Sequence, residues 1–82
     1  MIRSGRRSRA ESQFREQAAV LAVRLRARRE ELGLTQEQLA SGAQLAVATV
    51  RKIETGAVVE PGYFTVLALV EALGSRHDEL LP

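Results

Sequence analysis

Residues 35–56, TQEQLASGAQLAVATVRKIETG, constrain this chain more than any other stretch: they hold two short helices with almost nothing between them. Thr35 has the residue type of an N-cap, and Gln38 stands three residues on, where its side chain can reach back and close a capping box. Leu39 and Ala40 fall on the inward side of that first helix. Gly42 and Ala43 are small where two helices must cross closely. The second helix carries Leu45, Val50 and Ile53 inward and Val47, Ala48, Arg51 and Lys52 outward. Gly56 stands where a left-handed residue closes a helix.

Helix, tight turn and helix, with a Gly near the joint, is the helix-turn-helix signature, a geometry that lays its second helix in the major groove of DNA. The chain resembles the lambda-repressor-like, XRE-type domains. The resemblance rests on Arg29, Gly33, Leu34, Thr35, Gln36, Leu39, Ala40, Val50, Ile53, Glu54, Gly56, Pro61, Leu67, Leu73 and the closing run Asp78, Glu79, Leu80, Leu81. So many positions at fixed offsets make a specific pattern.

The resemblance implies roles for individual residues. Arg29 and Glu54 form a partly buried ion pair bracing helix 1 against the end of helix 3, where a guanidinium fork suits a carboxylate. Gln36 contacts a DNA phosphate through its side chain and backbone N–H, and buttresses the first exposed residue of helix 3. Val47, Ala48 and Lys52 occupy base-reading positions, flanked by Ala46 and Arg51.

The sequence departs from the family at several of these positions. Val47 and Ala48 replace hydrogen-bonding residues, Ala46 replaces an N-cap Ser or Thr, and Gln44 replaces a turn Gly. Val and Ala cannot bond a base edge but can meet a thymine methyl. Direct readout then rests on Arg51, Lys52 and Thr49. The competing reading is that this apolar face meets protein. In the loop 57–60, Glu60 would repel phosphate.

An 82-residue chain is one small domain. Aromatic content of 4% leaves the packing to aliphatics and Ala. There is no Cys, hence no disulfide or thiolate metal site, and His77 lacks a partner ligand; no cofactor is expected. The apolar run 18–23 is too short for a membrane span or signal core. Charge is asymmetric: residues 1–29 carry nine Arg and two Glu, while 30–82 carry three basic and eight acidic side chains. Such asymmetry suggests a polyanion partner for the N-terminal part.

The expected fold is all-α: a compact five-helix lambda-repressor-like bundle with an extended first helix and a flexible basic N-terminal arm. Residues 1–12 form the arm and 13–82 the DNA-binding domain. In the arm, Arg3, Arg6, Arg7 and Arg9 are candidates for minor-groove or backbone contact. Ser8 and Glu11 have capping-box spacing and would start helix 1 near Arg9; a start near Gln13 fits equally. Phe14, Ala18, Leu21, Leu25 and Leu32 form one helical stripe, with Ala19, Val20, Val23 and Ala27 beside it. Helix 4 turns Val66, Leu67, Val70 and Leu73 inward, and Ser75 caps helix 5.

Phe14 packs either on helix 5 near Leu80 and Leu81 or on a second subunit. A homodimer would form through the helix 1 extension (Phe14, Ala18) or helix 5.

The expected function is a sequence-specific transcriptional regulator that binds double-stranded DNA with helix 3, cytoplasmic and nucleoid-associated, without membrane or enzymatic role. The alternative is an antitoxin-like or co-regulator protein whose helix-turn-helix is mainly an assembly scaffold for a protein partner.

Overall fold

The computed structural model describes the backbone of residues 3–80 and the side chains of residues 14–76, 79 and 80. The chain runs through α1 (Arg3–Glu31), α2 (Gln36–Ala43), α3 (Val47–Glu54), α4 (Tyr63–Ala72) and a single turn, α5 (His77–Leu80). No strand occurs among the described residues, in keeping with the all-helical class read from the sequence.

Helix 1 differs from expectation at its start. Residues 3–12, read as a flexible arm, lie within α1. Extending an existing helix adds one hydrogen bond per residue ordered, whereas nucleating a new one is costly, and the Arg, Ala and Glu of this segment are good helix formers. At about 1.5 Å per residue, 29 residues span roughly 43 Å, so α1 sets the 47 Å long axis of the molecule. The side chains of Arg3, Arg6, Arg7 and Arg9 lie outside the described side chains, as do those of His77 and Asp78. Leu81 lies outside the described residues.

The core is aliphatic throughout. Leu21 and Leu25 of α1 pack with Leu39, Ala40 and Ala43 of α2, Val50 and Ile53 of α3, Val66, Leu69, Val70 and Leu73 of α4, and Leu80 of α5. Two expected inward residues are displaced. Leu32 follows the end of α1 and is exposed, because Gly33 turns the chain away before another helical turn forms. In α4 the buried position is Leu69, with Leu67 half-buried, since 66, 69, 70 and 73 follow the helical period.

The exits of four helices share one device. Gly33, Gln44, Gly56 and Gly74 all have positive φ and turn the chain out of α1, α2, α3 and α4. At Gly56 a Cβ would lie 3.8 Å from the Cα of Ala19, so the end of α3 sits directly against α1. The expected cap at Ser75 is displaced by one residue. Ser75 N–H closes α4 by donating to Val70 O, and it is Arg76 N–H that donates to Glu79 Oε1 at 2.7 Å to start α5.

Candidate nucleic-acid interface

The interface is built by two short helices held at a fixed angle. Thr35 caps α2: Gln38 N–H donates to Thr35 Oγ1 at 3.0 Å, and Thr35 N–H donates to Gln38 Oε1 at 2.9 Å. This reciprocal pair fixes where α2 begins. Its exit is a left-handed residue, Gln44 at φ 59°, after which Leu45 N–H donates to Ala40 O at 2.8 Å. Two residues later α3 starts from Ala46, which supplies no side-chain cap.

A buried carboxylate locks α3 to the rest of the molecule. Glu54 is 2% exposed. It accepts from Arg29 Nε at 2.6 Å, from Arg29 Nη2 at 3.0 Å and from Gln36 Nε2 at 3.0 Å. Arg29 Nη1 donates to Leu34 O at 2.8 Å, and Arg26 Nη2 donates to Glu54 O at 3.3 Å. The Glu54 carboxylate and the Arg29 guanidinium together tie α1, the α1–α2 loop, α2 and α3. The bond to Glu54 raises the Arg29 pKa above its ordinary value despite the opposing cost of burial. Gln36 is half-buried in this hub, so its side chain serves Glu54 and the start of α2 presents its backbone N–H.

With Val50, Ile53 and Glu54 turned inward, the outer face of α3 consists of Ala48, Arg51 and Lys52, with Ala46 at its mouth. Val47, read from the sequence as outward, is half-buried and packs against the core, because it borders the buried face of a helix only two turns long. Thr49 is half-buried on the opposite border. Arg51 Nη2 pairs with Glu37 Oε2 at 3.0 Å across the two helices, both side chains standing in solvent. Sequence reasoning missed Glu37 because its partner is fourteen residues away and only the inter-helix angle brings the two together.

Ala18, expected with Phe14 on a dimer surface, is buried within the chain, on the same side of α1 as Leu21, Ala22 and Leu25. Phe14 is exposed, as are Tyr63 and Phe64, which touch edge to face at 5.3 Å. No helix among the described residues is long and apolar enough to cross a membrane, and no cluster there has the makings of a metal site.

A helix-turn-helix family model matches residues 25–80, most of the chain and all of α2 to α5. Neither a curated protein nor a solved structure matches at a significant level.

Proposed function

Because this chain belongs to the lambda-repressor-like helix-turn-helix family, we propose that it is a sequence-specific transcriptional regulator that inserts α3 into the major groove of an operator. The observation that carries the reading is the outer face of α3. Arg51 and Lys52 project from a helix held at both ends, by Glu54 behind and by the short turn in front. An Arg aimed from such a base can grip guanine O6 and N7 together. The Glu37 contact does not forbid this. An exposed pair contributes about 0–1 kcal/mol, whereas a bidentate guanine contact discriminates by roughly 1–3 kcal/mol.

The remaining residues divide by chemistry. Ala48, Ala46 and the exposed part of Val47 can meet thymine methyls, and Thr49 has little free surface for readout. The Gln36 N–H, at the start of α2, favours a phosphate. Arg3, Arg6, Arg7 and Arg9 add a sequence-independent electrostatic contribution along the backbone.

Selection of bound sites from a random DNA pool tests the reading. Affinities for the selected site and its single-base variants then assign roles. Arg51→Ala should lose roughly 1–3 kcal/mol of discrimination at one base pair, and Lys52→Ala should weaken all sequences about equally. A pool that yields no preferred sequence would overturn the operator reading.

One observation favours a second reading, the antitoxin-like or co-regulator protein module. Phe64 is 80% exposed beside an exposed Tyr63, an aromatic pair of the kind enriched in protein interfaces. In that reading the pool experiment fails while a protein partner protects Phe64.

A further inference from the structure

Two cations stand on the outer face of α3, and their surroundings differ. Arg51, in the second turn of α3, donates from Nη2 to Oε2 of Glu37, the second residue of α2, at 3.0 Å. Lys52, next in sequence and also exposed, makes no ion pair among the described residues. The acid that holds Arg51 stands outside the buried hub. Its side chain keeps 65% of its surface in solvent and that of Arg51 keeps 53%, so the pair adds little to the fold. It lies instead on the face that the operator reading turns to DNA, one residue past Gln36 at the start of α2.

The pairing leaves Arg51 able to read a base. A guanidinium carries five N–H donors in a rigid fork, and Glu37 engages Nη2 alone. What the pairing removes is freedom. An exposed arginine is drawn to any phosphate within its reach, in any sequence. One tied to a carboxylate neutralises a phosphate only by giving up that carboxylate, and the carboxylate itself repels the phosphate. Guanine O6 and N7 set no such conflict, because they are neutral acceptors that the remaining N–H groups can meet while Nη2 stays on Glu37.

We propose that Glu37 is a specificity-determining residue: it withholds Arg51 from the DNA backbone and aims it at a guanine edge, leaving Lys52 as the backbone cation of this face. The base-reading half rests on the operator reading. The backbone half does not, since every sequence presents phosphates.

Two measurements on the full chain test the halves separately. On a duplex of arbitrary sequence, Glu37→Gln should bind roughly three- to fivefold more tightly, the fold-change that corresponds to an exposed pair of about 1 kcal/mol. Its slope of log K against log salt should be steeper by roughly 0.9, the mark of one further phosphate neutralised. Adding Arg51→Ala to Glu37→Gln should restore the parent slope. A slope that steepens equally with and without Arg51 would overturn the proposal, because the acid would then act through its charge alone.

On a selected site and its single-base variants, Glu37→Gln should reduce discrimination by roughly three- to fivefold at the base pair that Arg51→Ala identifies, and at no other. Equal gains in affinity on every variant, or no change on any DNA, would also overturn it. Circular dichroism melts of Glu37→Gln should match the parent, since both partners are exposed. A random pool without a preferred sequence would remove the operator reading and with it the base-reading half. The salt slopes on arbitrary DNA would still decide whether Glu37 keeps Arg51 from phosphate.

Discussion

Glu54 shows how one residue can set the geometry of a whole site. A carboxylate taken from water is costly unless every oxygen is paired, and here three donors from two side chains meet it. Arg29, with its side chain 12% exposed, is nearly as confined. Glu54→Ala or Arg29→Ala should each cost roughly 3–5 kcal/mol, because each strands a buried partner, and the double variant should cost clearly less than the sum. Thermal melts of the four proteins would measure the coupling; strictly additive losses would show that the two side chains act independently. The Arg29 pKa is raised in the fold, so its contribution is complete below the ordinary guanidinium value and lost only as pH climbs through a still higher one. The pair should therefore show no pH dependence from the arginine between acid and neutral conditions. Arg51 offers the contrast. Its pairing with Glu37 is exposed, and Glu37→Gln should leave the protein within about 0–1 kcal/mol of the parent in stability while changing the affinity for DNA.

At the scale of elements, the turn between α2 and α3 is less than optimal in two places. Gln44 adopts φ 59°, a left-handed conformation that costs a residue with a Cβ about 1–2 kcal/mol. Ala46 starts α3 in an extended conformation suited to an N-cap but offers no oxygen to the helix N–H groups. The backbone for a cap is therefore present without the side chain. Ala46→Ser should stabilise the domain by roughly 1 kcal/mol, a rise of about 4–8 °C in melting temperature for a chain of this size. Scanning calorimetry checks this; an unchanged or lower melting temperature would mean that the serine hydroxyl does not reach the N–H groups of α3. The start of α2 needs no such help, since Thr35 and Gln38 already close its capping box.

Across the whole molecule, charge and length are concentrated in α1. Nine Arg lie within residues 1–29, and the helix extends well before Ala18, the first buried residue among the described side chains. Removing residues 2–9 deletes Arg3, Arg6, Arg7 and Arg9 and leaves every core residue among the described side chains in place. The shortened protein should melt close to the parent but bind all DNA sequences more weakly. Its slope of log K against log salt should be shallower by roughly 0.9 for each phosphate that the deleted arginines had neutralised. An unchanged slope would show that these arginines stay in solvent when DNA is bound.

Local chemistry was legible in the sequence wherever cause and effect lie within one or two turns of chain. The capping box of α2, the Gly exits at 33, 56 and 74 and the inward set Leu39, Ala40, Val50 and Ile53 all follow from spacing, because they depend on helical period and backbone sterics alone. The aliphatic character of the core followed from the scarcity of aromatics. Tertiary structure decided what depends on how helices meet. It drew Val47 from the outer face into half-burial, turned Gln36 toward Glu54, set Glu37 beside Arg51 and buried Ala18 while leaving Val23 in solvent. It also carried α1 back to Arg3, since a helix already anchored by packing extends through residues that would not start one alone. Each of these outcomes turns on contacts between elements, and periodicity within one helix names a face without naming what that face will meet.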